Sequence, residues 1–300
     1  MILVTGATGF IGSHLLPKLA ASSRVRCLTR PESRRKLPAH PAVESFPMDL
    51  SSPEDLGRAM EGVECVIHLA ALLRKKSPDE IRRVNVDATQ KLVDACQKQG
   101  VKRFVFVSTE NTLREDIRDA YAETKREAES IVKTFKNSTI FQPCFVYGAG
   151  DTHGLGRFVS MARKSPVVPL FGGLQNRIQP VYVEDMVAYL LGAVRKDVRG
   201  EFVVAGPEMV SLNDFVLRAL KTLGIKKAVV PVPYVFFYLA ALFGDALMPK
   251  AGWGKTQLKN IYGSRTYSID KTVKAFGHVP RDIEAGLTAW LGNARRSAQD

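Results

Sequence analysis

Tyr121 and Lys125 stand four residues apart in Tyr121-Ala122-Glu123-Thr124-Lys125. On a helix that spacing puts a phenol and an amine on one face. A free phenol titrates near ~10. An ammonium one turn away favours the phenolate, so the pair can give or take a proton beside a carbinol or carbonyl. The same spacing recurs at Tyr267-Ser268-Ile269-Asp270-Lys271, so spacing alone does not choose between the two pairs. A second constellation opens the chain: Thr5-Gly6-Ala7-Thr8-Gly9-Phe10-Ile11-Gly12. Between a strand and a helix, Gly6 permits the tight turn and Gly9 a close backbone approach. Gly12 lets the helix lie on the sheet, and the helix N-terminus faces an anion. Gly6, Thr8, Gly9, Phe10, Ile11 and Gly12 are therefore candidates to cradle a pyrophosphate; the plainer reading is a glycine-rich turn.

These groups need elements to position them. Ile2–Val4, Arg24–Thr29, Val43–Phe46, Cys65–Leu69, Arg103–Ser108 and Ser138–Gln142 read as strands. Amphipathic stretches lie between several of them: Ile11–Ala20, Pro53–Met60, Pro78–Gln99 and Ala120–Phe135. That alternation predicts an α/β fold, a doubly wound parallel sheet covered on both faces. The predicted division is residues 1–150 as the dinucleotide-binding part, with 178–205 packing back onto it. Residues 151–300 then form a smaller α/β region for substrate, where Ser211 is the expected N-cap of a helix to Leu223.

The 300 residues are 45% hydrophobic and 24% charged, ordinary for a globular chain. Cys27, Cys65, Cys96 and Cys144 are scattered in apolar runs with no CxxC, which argues against a zinc site or a disulfide framework. Reduced thiols and the absence of a leader pattern predict a cytoplasmic location. The net charge of +13 is spread in short groups such as Arg34-Arg35-Lys36 and Arg74-Lys75-Lys76. It reads as a solvated basic surface or as attraction to anions, meaning nucleotides, phosphorylated substrates or acidic headgroups. Nucleic acid is not expected, because no recognition motif accompanies the charge.

Taken together, the motifs resemble the extended branch of the short-chain dehydrogenase/reductase superfamily, the NAD-dependent epimerase/dehydratase family. TGATGFIG resembles its nucleotide loop, and Met48-Asp49-Leu50 its DL/DV pair, whose acid contacts adenine. His68-Leu69-Ala70-Ala71 matches the end of its fourth strand. Asn85-Val86-Asp87-Ala88-Thr89 resembles NVxGT with Ala88 for glycine. Val107-Ser108-Thr109 resembles the strand end with the catalytic hydroxyl. Gln142-Pro143-Cys144-Phe145-Val146-Tyr147-Gly148 resembles RPxxVYG with Gln142 for arginine. The resemblance runs from residue 1 to about 290 and implies a Rossmann fold. It also implies catalysis by Thr109, Tyr121 and Lys125, with Tyr267–Lys271 in the tail, where Asp270-Lys271 to Phe276-Gly277 resembles a structural turn of extended members. The implied cofactor contacts are Asp49, Leu50, Leu69, Ala70, Ala71, Asn85, Ser108, Tyr121, Lys125, Pro143 and Val146.

The second strand ends Leu28-Thr29-Arg30 where an NAD site usually has an acid. Arg30 can pair with a 2′-phosphate, assisted by Arg34 or Arg35, which favours NADP. Glu32 swinging in would select NAD. The expected function is a nicotinamide-dependent oxidoreductase acting on a secondary alcohol or ketone. The alternatives are a nucleotide-sugar 4-epimerase that retains NAD and a non-catalytic dinucleotide-binding scaffold. Only eleven residues separate Thr109 from Tyr121, which alters the substrate pocket relative to many sugar epimerases. Arg157, Arg163, Gln175, Arg177 and Gln179 are candidates for a sugar or diphosphate. The apolar stretch Tyr234–Phe243 reads as a core helix, a wall for a lipophilic substrate, or an interfacial helix on a membrane beside Lys250, Lys255 and Lys259. Trp253, between two glycines, would then sit in a loop over the pocket. A homodimer through Pro78–Gln99 and Ala120–Phe135 is expected by resemblance.

Overall fold

The structure is a computed structural model that describes residues 1–50, 55–73, 77–152, 154–171, 177–233, 235 and 266–296. Gln175, Trp253, Lys250, Lys255, Lys259 and all of the apolar stretch but Val235 lie outside the described residues. The chain forms two compact units. The first comprises Met1–Pro143, Met186–Val204 and Asp270–His278; the second comprises Cys144–Asp185, Ala205–Ile269 and Val279–Asp300.

The first unit is built on seven strands: β1 (Ile2–Thr5), β2 (Val25–Thr29), β3 (Val43–Pro47), β4 (Cys65–His68), β5 (Arg103–Val107), β6 (Ser138–Pro143) and β7 (Gly200–Val204). All pairings are parallel, in the order β7-β6-β5-β4-β1-β2-β3. β1, β4 and β6 are buried along their whole length, as strands covered on both faces must be. The order reverses between β1 and β4, which opens a crevice beyond the carboxyl ends of these strands. One face is packed by Leu92, Val93, Ala128 and Val132 against Leu3, Val66, Phe104 and Phe106. On the far side of β6, Phe141 meets Tyr189, Phe202 and Phe276.

The connecting helices are α1 (Phe10–Ala20), α2 (Leu56–Ala59), α3 (Pro78–Arg82), α4 (Ala88–Lys98) and α5 (Ala120–Lys133). The stretch expected as one helix over Pro78–Gln99 is not continuous. A five-residue π-helical segment, Arg83–Asp87, separates α3 from α4. Such wide turns rotate the residues after them and recur at functional sites. Here the segment aims Asn85 inward, where it is buried.

The second unit holds α6 (Leu155–Lys164), the start of α7 (Val183–Arg195) and α8 (Leu212–Thr222), followed by a terminal helix, Ile283–Arg296. Ser211 Oγ accepts from the Asp214 amide at 3.0 Å and caps α8, as its position predicts. Tyr147 centres the core of this unit among Tyr182, Phe215 and Trp290. Burial raises its phenol pKa.

Candidate active site

The glycine loop follows β1 directly. Gly6 has φ +72°, and a Cβ there would lie 2.7 Å from the Ala70 nitrogen. At Gly12 a Cβ would lie 2.3 Å from the Gly6 oxygen and 2.7 Å from Ala7 Cα. Both neighbours are backbone, so neither position accepts a side chain. Gly9 heads α1 with no side-chain cap, leaving the first amides of the helix to an outside acceptor.

Beside this loop lies a polar chain that fixes the end of β4. Thr5 Oγ1 donates to His68 Nδ1 at 2.6 Å and accepts from the Ala70 amide at 3.2 Å. His68 Nε2 donates to Thr89 Oγ1 at 3.0 Å, and Thr89 Oγ1 donates to the Asn85 carbonyl at 2.7 Å. The tautomer follows from the Thr89 donation. Burial, with the nearby Lys125 charge adding, lowers the His68 pKa to about 3, so the ring is neutral. Asn85 accepts from the Leu72 amide at 2.8 Å and donates to the Leu72 carbonyl and to Thr124 Oγ1, each at 3.1 Å. Thus Asn85 links the loop after β4 to α5. No sequence period gives it that role; the π-helical turn does.

A cavity of about 490 Å³ opens at the strand reversal. Gly6, Thr8, Gly9, Arg30, Asp49, Leu50, Leu69, Ala70 and Ala71, all expected at a cofactor, line it. Phe10, Ile11, Gly12, Asn85, Ser108, Pro143 and the pair Tyr121 and Lys125 do not, and Val146 belongs to the second unit. Ser33, Lys36 and Arg83 line it although they were not expected there. Arg34 and Arg35, the predicted helpers of Arg30, are exposed and absent from the lining. The reason is local. Pro31–Lys36 is a 3₁₀ turn, in which residues three apart eclipse, so Arg30, Ser33 and Lys36 share a face. Glu32 pairs with Arg30 at 3.3 Å, both largely exposed.

Helix α5 starts at an Asp119 cap, whose carboxylate accepts from the Ala122 amide at 2.8 Å. Half-buried Tyr121 is in its first turn and Lys125 in its second. Lys125 is 2% exposed. Its Nζ donates to the Val107 carbonyl at 2.7 Å and lies 4.0 Å from the Phe106 ring centroid. Burial lowers its pKa to about 7, opposed by the Glu129 charge one turn on. Glu129 is itself buried; it accepts from Thr112 Oγ1 at 2.8 Å and from Gln142 Nε2 at 3.2 Å. The short loop before α5 is gathered by Arg126, which donates to the carbonyls of Asn111, Thr112, Arg114 and Ile117.

Two hydroxyls end β5. Thr109 Oγ1 donates to Glu110 Oε2 at 3.0 Å and caps its own 3₁₀ turn. Ser108 Oγ is buried with no hydrogen-bond partner, which is uncommon for a buried polar atom. The second Tyr/Lys pair has no shared helix: Tyr267 precedes the helix Asp270–Phe276 that carries Lys271, and that ammonium lies 5.0 Å from the Phe202 ring centroid. Among the substrate candidates, Gln179 is structural. Its amide donates to the carbonyls of Gly206 and Tyr267 and accepts from the Tyr267 amide. Arg163 and Arg177 are exposed and Arg157 is half-buried.

Comparison with known proteins gives the family. The profile of the NAD dependent epimerase/dehydratase family matches residues 2–206. The chain belongs to that family. Nicotinamide dinucleotide is accordingly its cofactor class. The residues fit it: an uncapped helix start, glycines that no Cβ can replace, and a crevice at the strand reversal. The chain is 36% identical over 207 residues to a ceramide reductase of Caulobacter vibrioides, covering 67% of this chain and 62% of that protein. It is 28% identical over 222 residues to a 3 beta-hydroxysteroid dehydrogenase/isomerase of Mycobacterium tuberculosis, covering 64% of this chain and 60% of the relative. It therefore spans about three fifths of these relatives' length. Among solved structures, MoeE5 in complex with UDP-glucuronic acid and NAD superposes with a TM-score of 0.77 at 24% identity, over 99% of both chains. That likeness is one of fold. Among the described residues no helix is long and apolar enough to cross a membrane.

Proposed function

We propose that the protein is an NADP-dependent oxidoreductase that interconverts a lipophilic ketone and its secondary alcohol. The observation that carries the choice of cofactor is the shared face of Arg30, Ser33 and Lys36 on the cavity wall. Two cations and a hydroxyl there suit a 2′-phosphate. Exposed Glu32 is already paired with Arg30. The lipophilic substrate class is supported by two relatives whose names specify a ceramide and a steroid.

The glycine loop and the start of α1 would hold the pyrophosphate, and Asp49 and Leu50, on the same cavity wall, would bound the adenine side. When bound, the dinucleotide supplies the hydride for reduction and accepts it for oxidation. Tyr121 gives its phenolic proton to the carbonyl oxygen as that oxygen gains charge, and takes it back in the reverse direction. Lys125, held by the Val107 carbonyl, stabilises the phenolate from one turn away. Ser108, whose hydroxyl lacks a partner, donates to the substrate oxygen, and Thr109 joins it by leaving Glu110.

The test is to release and identify any dinucleotide from the purified protein, then titrate the emptied protein with NADPH and NADH. Exchangeable binding that prefers NADPH, and loses that preference in Arg30→Ala/Lys36→Ala, is expected. Stoichiometric retained NAD would overturn the reading in favour of an epimerase. Failure to bind either dinucleotide would overturn the oxidoreductase reading, and binding without turnover of any ketone would leave the dinucleotide-binding scaffold. Tyr121→Phe should bind NADPH normally and lose turnover of lipophilic ketones.

A further inference from the structure

Two long stretches of the sequence contain no acidic residue: everything between Asp151 and Glu184, and everything between Asp214 and Asp245. The second unit brings them together. Strand Val167–Phe171 pairs in parallel with strand Ala228–Val232, and α6 packs on α8. Lys227 Nζ ties the two stretches by donating to the carbonyls of Ala162, Arg163 and Ser165 at the end of α6. Around this joint is a cavity of about 320 Å³ walled by Val168, Leu220 and Ile225, with Lys221 and Lys226 at its rim. Exposed aliphatic side chains belong to the same elements: Met161 (47% exposed) on α6, Val229 (41%) on the strand face of Val168, and Val167 (40%) and Val230 (43%) together on the other face. Arg163, Lys164, Lys221 and Lys226 are exposed around them, and neither stretch offers a carboxylate to neutralise them.

We infer that this basic, aliphatic face of the second unit docks on an anionic lipid bilayer. Aliphatic side chains entering the headgroup boundary, ringed by cations that reach lipid phosphates, are what interfacial binding requires. Charge complementarity selects the partner, because a face of one sign disfavours a second copy of itself. Strand addition by another chain is disfavoured as well. Pro231 stands in one strand of the pair and Pro169 in the other, and proline cannot donate to a growing ladder. The inference does not depend on the identity of the substrate.

The experiment is sedimentation of the full chain with phosphatidylcholine vesicles, with and without phosphatidylglycerol. Binding should require phosphatidylglycerol and weaken steeply with added salt. Each basic side chain at such a surface is worth about 1 kcal/mol. Lys221→Gln/Lys226→Gln should therefore lower partitioning about 30-fold, the equivalent of about 2 kcal/mol. Val167→Ser/Val230→Ser, two exposed valines on one face of the strand pair, should lower it by an independent route. Circular dichroism and dinucleotide titration, which reports on the first unit, should be unchanged in both variants. No phosphatidylglycerol-dependent binding would overturn the inference, as would binding that both variants retain in full. A dimer in equilibrium sedimentation that the valine variants dissociate, without vesicle binding, would assign the face to a second copy instead.

Discussion

Burying Lys125 ties the stability of the fold to pH in a way one substitution isolates. Its amine is lowered from the ordinary 10.5 to about 7. Between those values the unfolded chain holds a proton that the folded chain has released. Stability then rises with pH at about 1.4 kcal/mol per unit. The contribution is complete above 10.5, is lost as pH falls toward 7, and is absent below. Allowing for half-titration at 7, the gain from pH 7 to pH 9 is about 2 kcal/mol. Lys125→Met keeps the packing on Phe106 and removes the titration. Urea unfolding of both proteins at the two pH values should show the wild type gaining about 2 kcal/mol more than the variant. Taking the difference cancels other groups, including Cys27, Cys65 and Cys96, whose thiols burial pushes up to about 12. The same variant should lose turnover. Equal pH dependence in the two proteins would refute the argument that burial disfavours the Lys125 ammonium.

Gly12→Ala forces a methyl against the Gly6 oxygen and Ala7; thermal melting should show a loss of about 1–3 kcal/mol, and fluorescence titration should show loss of dinucleotide binding. His68 titrates at about 3 when folded against 6.5 when unfolded. Its contribution is therefore whole above 6.5 and lost as pH falls toward 3, up to about 5 kcal/mol. Acid unfolding of His68→Asn should lack that component. Glu129→Gln removes the carboxylate that opposes the lowering of the Lys125 pKa; a ¹⁵N titration of the lysine amine should shift down by about one unit, and an unmoved titration would assign Glu129 to packing alone.

The residues fixed by local geometry were legible in the sequence. A turn that must take positive φ at Gly6 and admit no Cβ at Gly12 has few solutions, so the glycine loop could be read directly. The four-residue spacing of Tyr121 and Lys125 needs only a helix, and the apolar runs of β1 and β4 need only a sheet buried on both sides. Tertiary structure decided the rest. Whether Arg34 and Arg35 or Ser33 and Lys36 face the cavity depends on a 3₁₀ rather than an α-helical turn, and packing makes that choice. Asn85 gained its grip on Leu72 and Thr124 through a π-helical segment that no periodicity announces. Gln179, read as a substrate ligand, proved to be saturated by backbone groups 27 and 88 residues away. The two acid-free stretches became one face only by strand pairing. Dihedral and spacing constraints act within a few residues and are written in order along the chain. Burial, hydrogen-bond saturation and the summing of charge depend on neighbours the chain order does not name.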